Sequence, residues 1–280
     1  MKKVLYSVFL ITLVSNVLFS QHIFSPLGMN LLEMGWRYFG WNPAALKAVG
    51  SDGFVMNFEY TSDFSSKESS LFRAGYQSVE EGLNGELTME RFSGFGIKEY
   101  SINYTVAGMN GNYFWGFQSK IYKDVSNTKG NDWGMKVGLG IIGSSGNFKG
   151  AIALKDVTIL STDISKMATG QFGAAIGWMN DSFAIHAGAV TTNFKLYEIY
   201  TGIALGVTPV FFSLSFGYAG DFTRSTYHFG MGIAWQGKGA LIATNFDFVP
   251  IPVNFTVSED FSMPYRFTVA FKLPQVVSEE

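Results

Sequence analysis

The stretch TYHFGMGIAW, from Thr226 to Trp235, decides the fold of this chain. Successive side chains of a β-strand point to opposite faces, so this stretch has one bulky face and one nearly bare face. The bulky face carries Tyr227, Phe229, Met231, Ile233 and Trp235, and the other carries His228, Gly230, Gly232 and Ala234. A half-buried strand of a soluble protein has a polar second face. The pattern therefore indicates a strand with lipid on its bulky side and a protein interior on its small side.

The composition favours a membrane protein built from strands. Of the 280 residues, 47% are hydrophobic, 16% are aromatic and 15% are charged, and the mean hydropathy is +0.15. Such a chain is too apolar to be disordered. Beyond the first twenty residues it has no run of about 18 uncharged apolar residues, which a membrane-spanning helix requires. We therefore expect any membrane crossing to be made by strands.

The N-terminus resembles a bacterial secretory signal. MKKVLYSVFLITLVSNVLFS begins with Lys2 and Lys3, continues as an apolar run and ends on the small residue Ser20. This pattern is typical of a signal peptide cleaved at or near Ser20, and the alternative is an uncleaved anchor. We predict three parts: a signal peptide at 1–20, an N-terminal plug or periplasmic segment at 21–50, and a transmembrane barrel at 51–280. The expected location is the bacterial outer membrane.

Charge and cysteine content exclude several kinds of partner and site. Without Lys2 and Lys3 the chain keeps 18 basic residues against 22 acidic ones, so nucleic acid is not an expected partner. The chain has no cysteine, which excludes disulfides, thiolate metal sites, a catalytic thiol and a lipid-anchored N-terminal cysteine.

The alternation of the opening stretch recurs along the chain. In KEYSINYTV, the side chains of Lys98, Tyr100, Ile102, Tyr104 and Val106 alternate with those of Glu99, Ser101, Asn103 and Thr105. Strands of about 9 to 11 residues suit a tilted transmembrane strand, and we predict them at 54–61, 71–77, 86–92, 98–106, 113–123, 133–141, 147–155, 170–179, 182–190, 197–207, 209–219, 226–235, 239–248 and 264–273. The predicted fold is all-β, a transmembrane antiparallel up-and-down β-barrel of about 14 strands with a short N-terminal plug. A secreted β-sandwich is the alternative, although its solvent face would be poor in charge.

The connections between the predicted strands alternate in length. Outer-membrane barrels have short turns at the periplasmic rim and longer loops outside. Here the odd connections are mostly long, and the even ones, such as GMNGN, GSSG and QG, are mostly tight. Two connections break the rule: SVEEGLNGE is a long even connection and FSG a short odd one. Both adjoin the third predicted strand.

A barrel assigns roles to two sets of side chains. Aromatic residues near strand ends are predicted to form the interfacial girdles: Trp133, Trp178, Tyr197, Tyr218, Tyr227, Trp235 and Tyr265. The predicted lumen-facing residues are polar on early strands and mostly small on middle ones: Asn57, Glu59, Glu99, Asn103, Lys120, Lys136, His186, Gly206, His228, Gly232, Arg266 and Lys272. Because the first and last strands of a barrel pair, we expect Glu59 and Glu99 to neutralise the two basic residues of the last strand. The alternative is an anion-selective lumen.

The segment before the first strand is predicted to fill part of the interior. Residues 22–50, HIFSPLGMNLLEMGWRYFGWNPAALKAVG, are apolar and partly helical in pattern, unlike a lipid-facing strand. A wall of glycine and alanine on the middle strands leaves room inside the barrel. We therefore predict that this segment acts as a plug.

The sequence WNPAALKAVG also carries a resemblance. An Asn-Pro-Ala step, followed by small apolar residues and then the first strand, resembles the N-terminal element of the FadL-like and PorV-like outer-membrane families. In those families the element lies before or inside a barrel of fourteen strands. The resemblance implies that Asn42, Pro43 and Ala44 lie at a plug bend, since proline fixes its own φ and restricts the preceding residue. The alternative is an ordinary helix start at Asn42. Modest loops and a brief plug segment distinguish this chain from the fatty-acid transporters.

No enzymatic, cofactor or metal site is expected. GLGIIG, residues 138–143, matches a dinucleotide-binding pattern, but it continues a strand into a turn and opens no helix. Asp181, Ser182 and His186 form no credible catalytic triad, because two of them lie in a turn without a nucleophile elbow. His186 and His228 are interpreted as lumen-filling polar residues or as ligand contacts, since no further ligand recurs at metal spacing.

Three functions follow from this interpretation. The first is passive transport of small hydrophobic or amphipathic molecules, in which the plug gates a pocket and a lateral gap releases ligand into the bilayer. The second is a non-transporting barrel that serves as an assembly or secretion partner, as PorV-like proteins do. The third is a hydrophilic diffusion pore. The corresponding partners are outer-membrane lipid, a hydrophobic small-molecule ligand and an envelope protein.

Overall fold

A computed structural model describes most of the chain after the predicted plug start. The described residues are 42–49, 53–62, 68–94, 97–126, 130–180, 182–192, 196–207, 209–220, 225–236, 240–252 and 265–273. The predicted signal peptide and residues 21–41 of the predicted plug lie outside them.

Within these residues the chain forms one short α-helix, one 3₁₀ helix at Ile164–Lys166 and fourteen strands. The α-helix α1 is Ala45–Val49. The strands are β1 (Gly53–Ser62), β2 (Glu68–Val79), β3 (Leu83–Gly94), β4 (Ile97–Asn110), β5 (Tyr113–Ser126), β6 (Gly130–Ser145), β7 (Phe148–Ser161), β8 (Gln171–Met179), β9 (Phe183–Thr192), β10 (Leu196–Val207), β11 (Val210–Gly220), β12 (Ser225–Gln236), β13 (Ala240–Pro252) and β14 (Tyr265–Leu273). No helix in this part of the chain is long and apolar enough to cross a membrane.

The strands form a closed antiparallel barrel. Each strand pairs with its neighbours in the sequence, and β1 pairs with β14 from Phe54 opposite Leu273 to Ser62 opposite Tyr265. Closure gives every strand two hydrogen-bonding neighbours, which a hydrocarbon environment requires. The predicted up-and-down barrel of about 14 strands is confirmed, and the β-sandwich alternative is wrong.

Side-chain exposure follows the predicted alternation. On β4 the outward side chains of Tyr100, Ile102 and Tyr104 are exposed, whereas the inward side chains of Ser101, Asn103 and Thr105 are buried. Large hydrophobic side chains cover the outer surface on many other strands as well, including Phe54, Ile121, Ile141, Ile176 and Phe212. Keeping such a side chain in water costs about 1.5–3 kcal/mol relative to burying it. The outer surface therefore has the apolar character expected of a surface that faces lipid.

Most strands run past at least one of their predicted ends, so most of the connections between them are shorter than predicted. The even connections are residues 80–82, 111–112, 146–147, 180–182, 208–209 and 237–239. The odd connections are 63–67, 95–96, 127–129, 162–170, 193–195, 221–224 and 253–264. The predicted long even connection at SVEEGLNGE is wrong, because β2 extends to Val79 and β3 begins at Leu83. We call the rim with the even connections the short-turn end and the other rim the long-loop end.

Candidate functional site

The N-terminal residues 42–46 lie inside the barrel at its short-turn end. Asn42, Ala44, Ala45 and Leu46 are each 0% exposed. Leu46 and the two alanines share one hydrophobic core with inward residues of the wall, namely Ala107, Ile142, Ala151, Ala175, Met179, Ala184 and Ala204. The described N-terminal segment therefore occupies the interior at this end.

Asn42 begins the helix and is buried against the wall. Its backbone carbonyl accepts the N–H of Ala45 at 3.0 Å, and its side-chain carbonyl accepts the N–H of Ala44 at 3.0 Å. A side-chain oxygen that accepts from the second residue of the turn is the usual cap of a helix start. Pro43 follows, where a missing N–H leaves no donor unsatisfied. Asn42, Pro43 and Ala44 thus form a helix start and are also buried inside the barrel.

Two wall glycines allow this close approach. A Cβ on Gly116 would overlap the backbone of Pro43 and Ala44, and a Cβ on Gly140 would overlap the side-chain oxygen of Asn42. Glycine is the residue that permits such contact between a strand and another backbone. Gly140 belongs to the GLGIIG stretch, so that stretch packs against the N-terminal segment. The sequence alone gave no signal for this contact.

Lys47 fastens the helix to the turn between β2 and β3. Its Nζ donates to the carbonyl oxygens of Glu80 and Glu81 at 2.6 and 3.0 Å and to Oδ1 of Asn84 at 3.0 Å. Asn84 in turn donates to the carbonyl oxygen of Leu46 at 2.9 Å. These contacts join residues more than thirty positions apart in the sequence, and sequence analysis missed both Lys47 and Asn84. The one local signal was a basic residue in the last turn of a helix, where the helix dipole favours it.

A line of ion pairs runs along the inner wall from β2 to β6. Arg73 contacts Glu86 and contacts Glu90 at 3.3 Å. Lys120 contacts Glu90 at 3.3 Å and Glu99 at 2.5 Å, and Lys136 contacts Glu99 at 2.8 Å. We call these residues, Arg73, Glu86, Glu90, Glu99, Lys120 and Lys136, the ion ladder. Their side chains are at most 18% exposed, so each charge is neutralised mainly by its neighbours.

The partner predicted for Glu99 is wrong. Glu99 binds Lys120 and Lys136, because β4 lies beside β5 and Lys136 follows on β6. Arg266 and Lys272 lie on β14, whose neighbours are β1 and β13. Pairing between neighbouring strands therefore determines the partners of the inward charges.

Asp156 supplies a further carboxylate beside the ladder. The register between β6 and β7 shifts between Val137 and Leu139, opposite this residue, and Asp156 has a φ of 53°. Such a β-bulge re-aims one side chain, and aspartate tolerates a positive φ better than most residues. Asp156 interacts electrostatically with Lys120 and Lys136. The bulge thus places a charge where regular alternation would point it toward lipid.

Predicted lumen residue Asn103 is 1% exposed and donates to the hydroxyl of Thr88 at 3.3 Å. Gly206 is buried, and a Cβ on it would overlap the ring of Phe211. Gly232 is half-buried on β12. Several other predicted site residues have side chains outside the described residues, namely Asn57, Glu59, Tyr197, Tyr227, His228, Tyr265, Arg266 and Lys272.

The loop at 162–170 folds onto the long-loop end of the polar wall. Lys166 Nζ lies 2.7 Å from a carboxylate oxygen of Asp124 and 2.7 Å from one of Asp132. Burial acts against the charge of Lys166, but its hydrogen bonds to Asp124 and Asp132 prevail and raise its pKa. Asp163 caps the 3₁₀ helix by accepting the N–H of Ser165 at 3.0 Å. The hydroxyl and backbone N–H of Ser165 lower the pKa of the Asp163 carboxyl.

Small residues form the inner wall of β8–β10. Six of the buried positions are Gly173, Ala175, Ala184, Gly202, Ala204 and Gly206, and Met179, Val190 and Tyr200 are larger buried residues of the same strands. His186 is 5% exposed among them, and its ring meets that of Tyr200 edge-on at 5.6 Å. Within the described residues the Nε2 atom of His186 has no hydrogen-bond partner. The polar side chains buried on this wall include His186 and Tyr200.

The outer face of β6–β10 carries a shallow apolar groove of about 810 Å³, and a neighbouring cavity of about 860 Å³ is lined in part by Lys149 and His186. Outward small residues such as Gly150, Ala174 and Ala187 form the floor of the groove, and Tyr113 and Ile176 stand beside them. The strands beneath are paired throughout this region. The described wall is therefore continuous here, and the predicted lateral gap is not found at this place.

Aromatic residues occupy both rims of the described barrel. The predicted girdle residues Trp133 and Tyr218 lie near the long-loop end, and Trp178 and Trp235 lie near the short-turn end. Trp133 and Trp235 are exposed on the outer surface. Tyr113 and Trp115, which sequence analysis missed, are also exposed near the short-turn end. In the sequence they follow the predicted tight turn GMNGN, and this position could have predicted their place in the girdle.

Comparisons with known proteins agree with this architecture. No protein-family model matches the sequence, and no curated protein sequence matches it. The fold is similar to that of the CymD monoaromatic hydrocarbon channel, with a TM-score of 0.61 and 9% identity over 84% of this chain and 92% of that one. A mutant of the Rh. blastica porin aligns with a TM-score of 0.45 and 8% identity over 79% of this chain and 99% of its own. The KdgM porin aligns with a TM-score of 0.43 and 7% identity over the same shares.

At these identities the similarity to solved structures shows the fold alone. The chain folds as a β-barrel, and the named structures similar to it include channels and porins. The resemblance to FadL-like and PorV-like families stays a prediction.

Proposed function

We propose that this protein is a passive outer-membrane transporter of small hydrophobic or amphipathic molecules, gated by its N-terminal segment. The observation that carries the proposal is the complete burial of Asn42, Ala44, Ala45 and Leu46 inside the barrel. A barrel held only by its own strands needs no such segment for closure, since β1 already pairs with β14. The segment is therefore free to serve as a gate.

The two inner walls support a route for molecules that are at least partly apolar. The charges of the ion ladder contact one another, so they offer little to a hydrated solute. The wall of β8–β10 is lined by small apolar residues, which suit an apolar ligand. These features disfavour the hydrophilic diffusion pore.

Fold similarity gives limited additional support. The similar structure with the 0.61 TM-score is a monoaromatic hydrocarbon channel by its printed name. At 9% identity its substrate does not transfer to this chain. It does illustrate that a barrel of this shape conducts small apolar molecules. The bulky outer surface and the resemblance of residues 1–20 to a signal peptide support the outer membrane as the location.

Excision of the predicted plug tests the proposal. Cells would produce the wild-type protein or a variant without residues 28–48, and uptake of the apolar dye N-phenyl-1-naphthylamine would be followed by fluorescence. We expect the wild-type protein to raise dye entry above that of cells lacking it, and the deletion to raise it further. Faster migration of unboiled protein on a denaturing gel would verify that both barrels are folded. Unchanged entry in both cases contradicts the proposal.

The second candidate function is a non-transporting barrel that acts as an assembly or secretion partner. It is favoured by the same buried segment, which fills one end of the barrel. It predicts a stoichiometric protein partner after gentle extraction and no dye entry through either form. Mass spectrometry of the extracted protein distinguishes it from the transporter, for which an apolar small molecule is expected.

A further inference from the structure

Three neighbouring strands place Lys149, Gly177 and His186 side by side on the inner wall. Lys149 of β7 faces Gly177 of β8, and Gly177 faces His186 of β9. The adjacent residues Phe148 and Ile185 are 66% and 43% exposed on the outer surface, so alternation turns Lys149 and His186 inward. Gly177 has no side chain to fill the space between them. The two nitrogen-bearing side chains therefore flank a position to which β8 contributes no side chain.

His186 lacks a partner at this position. Its side chain is buried, its ring packs against Tyr200, and Nε2 has no hydrogen-bond partner in the described part of the chain. On β10 it faces Gly202, so neither neighbouring strand offers a side chain at this level. A buried polar atom without a partner is destabilising. The arrangement therefore favours a bound group that satisfies Nε2.

Lys149 differs from the lysines that form ion pairs. Lys120, Lys136 and Lys166 each contact a carboxylate within 3.3 Å. Among the described residues no ion pair involves Lys149, although it is half-buried. A partly buried ammonium without a counter-charge favours an anion.

Apolar surface adjoins this row of residues. The next inward row consists of Ala151, Ala175 and Gly188, which face one another on the same three strands. Ala151 and Ala175 belong to the hydrophobic core that includes Leu46 of the N-terminal segment. A molecule on this row would lie next to the proposed gate.

We infer that Lys149 and His186 form a recognition site for the carboxylate of a small amphipathic molecule whose apolar part lies along Ala151 and Ala175. This inference rests on the proposed transport function and names its substrate class. The two residues stand on strands separated by one other strand, roughly 9.5 Å apart at the backbone. A carboxylate over Gly177 accepts from both side chains, and charge-assisted hydrogen bonds are stronger than neutral ones. An alcohol of the same shape gains no such charge contact.

The test compares two probes with one carbon skeleton, benzoate and benzyl alcohol. Binding of each to the purified, detergent-solubilised protein would be measured by calorimetry at about pH 8. We expect the wild-type protein to bind benzoate about tenfold tighter than benzyl alcohol, which corresponds to about 1.4 kcal/mol. Lys149→Met and His186→Phe are each expected to remove most of this preference while leaving benzyl alcohol binding within about twofold of wild type.

Matched variants separate recognition from folding and from general charge. Lys123→Met removes a lysine that is exposed on β5 and is expected to leave benzoate binding unchanged. His186→Gln keeps a hydrogen-bond donor and is expected to bind benzoate more tightly than His186→Phe. If Lys149→Met does not fold by gel mobility, Lys149→Gln replaces it as a polar side chain of similar reach.

The inference is overturned if wild type binds benzoate no tighter than benzyl alcohol, or if Lys149→Met weakens both probes equally. The dye-entry assay uses an uncharged molecule, so it reports on transport without the carboxylate site. Dye entry without a benzoate preference would remove the inference and keep the proposed function. A benzoate preference that depends on Lys149, without dye entry, would keep the site and remove the transport proposal.

Discussion

Gly140 shows how a single missing methyl group positions the N-terminal segment. A Cβ at this residue would overlap Oδ1 of Asn42 and lie 3.0 Å from Cδ of Pro43. We expect Gly140→Ala to displace the segment and to raise dye entry toward that of the 28–48 deletion. Overpacking of this kind typically costs about 1–3 kcal/mol. A lower temperature for the loss of heat-modifiable gel mobility would measure that cost.

Gly138 provides the control for this substitution on the same strand and face. A Cβ there would lie 3.3 Å from the carbonyl oxygen of Leu154 and 3.6 Å from Cβ of Gln118, away from Asn42. Gly138→Ala should therefore leave dye entry near that of wild type. If the two alanine variants behave alike, contact with Asn42 does not hold the segment in place.

At the same scale, single residues show what the sequence could and could not predict. The inward direction of Glu99, Lys120 and Lys136 follows from alternation, which is a local property of a strand. Their pairing depends on register between separate strands, so the partner predicted for Glu99 was wrong. Asp156 was missed because a bulge interrupts the alternation that would have shown its direction.

At the scale of elements, the existence of the strands was predictable and their ends were not. β6 was predicted at 133–141 and spans Gly130–Ser145. The added residues include Asn131, Asp132, Ser144 and Ser145, which lie at the rims of the barrel. There both faces of a strand contact polar surroundings, so the contrast between bulky and small residues disappears. The same effect shortens most of the predicted loops.

The loop at 162–170 is expected to respond to acid. Hydrogen bonds from Ser165 lower the pKa of Asp163, so this contribution to stability is present above the ordinary aspartate pKa of about 3.9 and is lost as the pH falls through the lowered value. The chain has no cysteine, so Ile164→Cys, at a residue that is 82% exposed, accepts a single spin label. We expect the label to be ordered near about pH 6 and more mobile once the pH has fallen below the lowered pKa of Asp163.

Asp163→Ala in the labelled protein serves as the comparison. Without the carboxylate, the label is expected to be mobile at both pH values, because the cap of the 3₁₀ helix is gone. A label whose mobility is the same at both pH values in the parent protein would show that Asp163 does not order the loop.

At the scale of the whole molecule, the closed barrel confines the charges of one wall to partners on that wall. The three cations of the ion ladder, Arg73, Lys120 and Lys136, are balanced by the carboxylates of Glu86, Glu90 and Glu99, and Asp156 adds one further carboxylate beside them. An opened lumen should therefore discriminate weakly between anions and cations. Removal of one ladder carboxylate would take a negative charge out of a space of low dielectric, where its effect is larger than at the surface.

We expect Glu99→Gln, made in the barrel that lacks residues 28–48, to shift the reversal potential in a salt gradient toward anion selectivity. The reason is that Lys120 and Lys136 lose the carboxylate they share, at 2.5 and 2.8 Å. Glu80→Gln removes the same charge from an exposed turn at the short-turn end and should shift the potential much less, because solvent and salt screen that position. Equal shifts from the two substitutions would mean that ions do not pass along the ladder, and the ladder would then act only in holding the wall together.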